Sequence, residues 1–186
     1  MNIEEYLQLD STSIGIRYEY IDGLVTMLAG GTADHATIGA NIISILHRLL
    51  SGGPCRVFTS DLRVQLSEMR YVYPDVTISC DERDRGRIDR IQHPRLIVEI
   101  LSPRTEAYDR GRKFAYYRQC PTIQEYVLID SQHQDVEVYR REKNRFWTFH
   151  AFEPDDDIEL SSLGVRFPIA VVYENVLFPE EDNSIL

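Results

Sequence analysis

The chain has 186 residues, 43% hydrophobic and 27% charged, a balance that suits one globular domain with a substantial core. No apolar run approaches the roughly 18 residues of a membrane span, and Met1–Leu9 lacks the basic start of a secretory signal. The net charge of −10 speaks against nucleic acid as a partner, yet residues 83–118 carry ten Arg and Lys against five Asp and Glu, whereas residues 151–186 carry nine acidic residues and one basic.

In chain order, residues 2–9 read as a short amphipathic helix. Residues 17–21 and 24–29 flank Asp22-Gly23, a strong two-residue hairpin signal. Thr32 or Asp34 can cap a helix reaching about Leu50, with Ile38, Ile42, Ile45 and Leu49 as its core-facing stripe and Gly52-Gly53-Pro54 as its stop. Strands are expected at 56–59, 62–66 and 72–79, the last punctuated by Pro74, followed by a polar, arginine-rich loop over 81–94. Residues 96–101 form a nearly unbroken apolar run, which marks a central strand covered on both faces. A helix over 105–119, a strand over 125–129 and a hairpin of 136–141 with 146–152, turning through 142–145, complete the order. That order predicts an α/β (α+β) fold in which one mixed sheet is flanked by helices, with an N-terminal and a C-terminal β-hairpin. The domain spans 1–186, with a core over about 4–176 and an acidic tail over 177–186. Cys55, Cys80 and Cys120 are odd in number, scattered and without a C-x-x-C pair. This argues against a disulfide framework or a zinc site and for a reducing cytoplasm, with Cys80 a small buried hydrophobe.

Glu99 is the most informative residue. It stands alone among Leu96, Ile97, Val98, Ile100 and Leu101, where an unpaired carboxylate would cost several kcal/mol. It needs an arginine partner, or else it is a metal ligand or a catalytic acid/base. Asp75, after Pro74, reads alone as a turn residue. With Glu99 on a neighbouring strand it supplies two carboxylates for one divalent ion such as magnesium.

Tyr18-Glu19-Tyr20-Ile21-Asp22-Gly23, His35, Tyr73-Pro74-Asp75-Val76, Val98-Glu99-Ile100-Leu101-Ser102-Pro103, Asp109-Arg110-Gly111-Arg112-Lys113 and Glu125-Tyr126-Val127-Leu128-Ile129-Asp130 occur in order. Together they resemble the Uma-two family of restriction endonuclease-like proteins, within the PD-(D/E)XK nuclease superfamily. The resemblance runs from about Glu4 to Val176. It implies a restriction-endonuclease-like core and metal-dependent hydrolysis of nucleic-acid phosphodiesters, with DNA as the expected partner. It further implies that Asp75, Glu99 and the Ile100 carbonyl hold Mg²⁺ or Mn²⁺, and that Glu19 is an additional acidic residue of the site. The superfamily pattern places a lysine two residues after the glutamate, where this chain has Leu101. The resemblance suggests that Lys113 has taken over that role, although Asp109 and Lys113 also read as an ordinary i,i+4 ion pair. His35 reads equally as a site residue or as a capping or core histidine. Arg83, Arg85, Arg87 and Arg90 are expected to meet substrate phosphates. Trp147, Phe149 and Phe152 are expected to serve a homodimer interface. The alternative function is a nucleic-acid-binding or regulatory module that kept the fold and lost the chemistry.

Overall fold

The computed structural model describes residues 1–143 and 146–178, so most of the acidic tail and part of the 142–145 turn lie outside the described residues. The chain opens with helix α1 (Ile3–Thr12), started by a reciprocal capping box between Asn2 and Glu5. Strands β1 (Tyr18–Ile21) and β2 (Leu24–Met27) form the first hairpin, with Asp22 at φ 50° and Gly23 at φ 95°. Both central turn residues thus adopt the positive φ that Asp-Gly tolerates and this tight turn requires. Helix α2 (Ala33–Leu49) is capped by the Thr32 side chain. Its buried face is Ile38, Ile42, Ile45 and Leu46, while Leu49, expected in the stripe, is exposed.

The remaining strands are β3 (Arg56–Thr59), β4 (Arg63–Ser67), β5 (Arg70–Val72), β6 (Val76–Ser79), β7 (Arg90–Ile91), β8 (Leu96–Leu101), β9 (Glu125–Asp130), β10 (Val136–Arg141), β11 (Trp147–Phe152), β12 (Asp157–Leu160) and β13 (Val165–Pro168). A six-stranded central sheet runs β11-β10-β9-β8-β6-β3, mixed because β8 and β9 are parallel. A five-stranded sheet runs β2-β1-β5-β4-β7, and β12 pairs with β13 alone. The single sheet of the sequence reading is therefore corrected to two larger sheets and a small hairpin. The divergence occurs at Pro74. Residues 72–79 read as one strand, but proline has no N–H for a ladder and restricts the residue before it. β5 accordingly ends at Val72 in one sheet, and β6 begins at Val76 in the other.

Two apolar layers sandwich the central sheet. Val76, Ile78, Leu96, Val98, Ile100, Val127 and Ile129 pack toward α2 and the β12–β13 region. Ile97, Leu101, Tyr126 and Leu128 pack toward Val64, Val72 and Ile91 of the second sheet, together with Tyr117, Cys120 and Ile123. This two-sided cover is why 96–101 is so apolar. The segment expected as one helix is α3 (Glu106–Tyr108), a π-turn (Asp109–Lys113) and α4 (Phe114–Gln119) in direct succession.

The cysteine reading is also corrected. Cys55 and Cys80 are joined in a disulfide with Cα atoms 3.9 Å apart, and Cys120 is free and buried. Pairing of Arg56 with Ser79 places the two cysteines opposite each other just beyond the ends of β3 and β6. Sequence spacing carries no information about that cross-strand opposition. The bridge removes the argument from cysteine usage to a reducing compartment. Among the described residues, no helix is long and apolar enough to cross a membrane.

Candidate active site

The acidic residues singled out above arrive from three directions. Glu19 comes from β1 and accepts a hydrogen bond from the Tyr73 N–H at 3.1 Å. Asp75 sits in the crossing between the sheets, where its Oδ2 accepts from the Ile100 N–H at 2.8 Å. Glu99 projects from β8, only 3% exposed. The π-turn delivers the cation. Within it, the Phe114 N–H reaches back five residues to the Asp109 carbonyl, and the widened turn buries both Asp109 and Lys113. Such turns recur where an ordinary helix cannot aim its side chains as a site demands.

Lys113 Nζ lies 2.8 Å from Glu99, 3.5 Å from Glu19 and 3.6 Å from Asp109. The Tyr117 hydroxyl, one turn further, donates to Glu99 at 2.5 Å. Asp109, Lys113 and Tyr117 thus face the cluster at i, i+4 spacing, a signal present in the sequence. The Tyr117 bond to Glu99 needed the fold to become visible. The Tyr126 hydroxyl donates to the Asp109 carbonyl at 3.2 Å and holds the π-turn against β9.

Three carboxylates, from Glu19, Glu99 and Asp109, surround one ammonium, with the Asp75–His35 pair beside them, so the cluster is short of positive charge. The protonation equilibria reflect this. Burial, reinforced by repulsion from Asp75 and Asp109, holds the Glu99 carboxyl well above the usual range despite the opposing pull of Lys113. Burial would lower the Lys113 ammonium, but Glu19, Glu99 and Asp109 outweigh it and hold it well above its ordinary value. Burial raises Asp109 as well.

His35, in the first turn of α2, places Nε2 3.3 Å from Asp75 Oδ2. Its ring is held above its ordinary pKa chiefly by that hydrogen bond and further by one to the Ile100 backbone. The oxygens expected to hold a metal are therefore engaged by neighbouring side chains: Glu99 by Lys113, and Asp75 and Ile100 by His35. No group of three or more His, Cys, Asp or Glu among the described residues forms a ready-made metal cage. The donor chemistry nevertheless fits a hard divalent ion, because magnesium asks for only one or two carboxylates beside water and substrate oxygens. The surplus of negative charge points the same way.

The arginines lie elsewhere. Asp75 precedes β6, and Arg83, Arg85 and Arg87 follow its far end. Arg83 pairs with Asp81, Arg85 with Glu82 and Arg90 with Asp89, while Arg87 donates to the Arg83 carbonyl. They are not brought to the carboxylate cluster. Arg104, just after β8, and Arg112, within the π-turn, are exposed and adjoin in sequence the segments that carry Glu99 and Lys113; the sequence reading quoted Arg112 within a motif and gave neither residue a role. Tyr108, 36% exposed and near Glu19 and Lys113, has its hydroxyl pushed up to about 12, chiefly by desolvation of its buried part.

A family model described as "Uma2: Putative restriction endonuclease" matches residues 3–171. An uncharacterized protein of Synechocystis sp. is 36% identical over 176 residues, 94% of this chain and 92% of its own length. A second Synechocystis protein, also uncharacterized, is 33% identical over 147 residues, 77% and 82% of the two lengths. The crystal structure of "a putative nuclease belonging to DUF820" from Anabaena variabilis superposes with a TM-score of 0.78 at 21% identity. It covers 95% of this chain and 99% of that one, a likeness of fold.

Proposed function

This chain belongs to the Uma2 family, and on that membership together with the Lys113-centred carboxylate cluster we propose that it is a Mg²⁺- or Mn²⁺-dependent endonuclease acting on DNA. The observation that carries the reading is the 2.8 Å contact between Lys113 and Glu99 inside a buried cluster that also holds Asp75. A structural ion pair would need one carboxylate. Three carboxylates around one ammonium, with Asp75 beside them, cost stability, and a cluster so composed suits a site that takes up a further cation.

Asp75, Glu99 and the Ile100 carbonyl would hold the ion. When bound, it supplies polarisation of the scissile phosphate and a more acidic water. Lys113 orients the attacking water and offsets charge that develops on the phosphate. Tyr117, whose hydroxyl burial and Glu99 keep protonated, fixes the Glu99 carboxylate. His35 fixes Asp75, and Glu19 holds Lys113 in place from the second sheet. The exposed arginines Arg104 and Arg112 would meet the phosphates beside the scissile bond. A second copy of the chain would supply the second active site needed to cut both strands.

The test is cleavage of duplex DNA with Mn²⁺ or Mg²⁺ by wild type, Asp75→Asn, Glu99→Gln and Lys113→Met. Activity in the wild type alone supports the reading. Duplex binding without cleavage under any metal would transfer the chain to the binding-module class.

A further inference from the structure

A cavity of about 570 Å³ lies at the other end of the central sheet, away from the carboxylate cluster. Four adjacent strands line it in order: Cys80 just past β6, Arg95 just before β8, Gln124 just before β9, and Arg140 with Arg141 at the end of β10. Backbone bonds fix this row. The Arg95 N–H donates to Ile78 at 2.7 Å, the Gln124 N–H to Arg95 at 2.8 Å and the Arg141 N–H to Gln124 at 2.8 Å. Ser161 and Ser162, from the turn between β12 and β13, form a wall. Arg95 and Glu99 are four positions apart along the strand, about 13 Å at roughly 3.3 Å per residue.

The carboxylates of this region are already satisfied. Glu125, fully buried, accepts Arg140 Nε at 2.9 Å and the Ser161 and Ser162 N–H groups at 3.1 and 3.0 Å. Asp81 is held by Arg83 through two bonds at 2.8 and 2.7 Å. Asp84 engages His93 Nδ1 at 3.1 Å. Arg95 differs. Its guanidinium makes one contact, Nη1 to the Ser162 carbonyl at 3.3 Å, and has no carboxylate partner among the described residues. With Arg140 matched by Glu125, His93 by Asp84 and Asp81 by Arg83, the exposed Arg95 guanidinium with its unused donors and the neighbouring Arg141 leave the cavity lining net positive within an acidic protein.

We propose that this cavity binds a phosphate monoester, with Arg95 as its anchoring cation. The planar fork of a guanidinium matches two oxygens of a phosphate. The volume exceeds what a bare phosphate fills and falls within the range of small-molecule sites, so a nucleoside has room beside the phosphate. A free mononucleotide and the 5′-phosphorylated end of a strand present the same group. The site stands apart from Asp75 and Glu99 and does not rest on the reaction assigned to them.

Calorimetry on the full chain with inorganic phosphate, a nucleoside 5′-monophosphate, and an oligonucleotide with and without a 5′-phosphate tests this. The monophosphate should bind wild type and Asp75→Asn equally, and Arg95→Gln about tenfold or more weaker, as loss of a charged hydrogen bond implies. A preference for the phosphorylated oligonucleotide over its hydroxyl form identifies a strand end as the natural source. Equal weakness of both oligonucleotides beside firm monophosphate binding identifies the free nucleotide. Amide shifts on adding inorganic phosphate to wild type should cluster at His93, Arg95 and Ser162, and this readout stands even if Arg95→Gln fails to fold. No binding by any probe at millimolar concentration, equal affinity in Arg95→Gln, or shifts confined to residues around Asp75 overturns the proposal.

Discussion

A lysine enclosed by Glu19, Glu99 and Asp109 is favourable while those groups share its charge, and its removal leaves them facing one another. Breaking a buried ion pair by deleting one partner typically costs about 3–5 kcal/mol. Lys113→Met should therefore lose cleavage and, without metal, melt well below wild type. Mn²⁺ should then raise its melting temperature more than that of wild type, because the ion no longer competes with the ammonium. Equal shifts in both proteins would argue against a shared site. Glu99 adds a pH dependence of definite sign. Its folded pKa lies above the ordinary 4.5, so the folded state binds this proton more tightly than the unfolded chain does. The stability it contributes is complete below 4.5 and is lost as pH rises through the folded value. His35, raised from 6.5, acts in the same sense over a higher window. Metal-free wild type should thus lose stability from mildly acidic toward neutral pH, and Glu99→Gln, which cannot titrate, should lose less. Thermal melts across that range decide the matter, since parallel curves would remove Glu99 as the cause.

At the scale of elements, the π-turn and the start of α2 aim the site, and a glycine within the first and another just before the second each have a clear outcome. A methyl at Gly111 meets nothing within 4 Å, and the residue is exposed. Gly111→Ala should stabilise the protein by about 0.5–1 kcal/mol through lower unfolded-chain entropy. Denaturant titration checks the gain, and unchanged cleavage would show that the π-turn keeps its geometry. Gly31 is the opposite case, because a methyl there would stand 2.8 Å from His35 Nδ1. Gly31→Ala should push the ring off Asp75, so that the His35 pKa, read by proton NMR, falls back toward 6.5. A value unchanged from wild type would mean that the ring yields without leaving its partner.

For the molecule as a whole, β11 is the outermost strand of the central sheet. Its sequence, Trp147–Phe152, carries no Asp, Glu, Lys or Arg, and Phe149 is 53% exposed. An uncharged, aromatic edge is open to pairing with another strand, and a second copy could extend the sheet across a two-fold axis. Light scattering at micromolar concentration should give a dimer mass for wild type and a monomer mass for Phe149→Lys. A monomeric wild type would contradict the pairing.

Much of this organisation was legible from the chain alone, because local rules generate it. Asp22-Gly23 accepts positive φ, Thr32 caps α2, and the apolar run of 96–101 demands cover on both faces. The isolation of Glu99 in that run required a partner on energetic grounds, whatever the partner was. Which partner it has is decided by tertiary structure. Lys113 reaches Glu99 because a π-turn rotates it inward and because β8 and β9 are parallel, with α3, the π-turn and α4 crossing back between them. The split at Pro74 into two sheets, the opposition of Cys55 and Cys80, and the displacement of Arg83–Arg90 from the carboxylates have the same origin. Each depends on which strands lie side by side and in which direction. Residues far apart in the chain settle that through the total burial they achieve together, and no single segment encodes it.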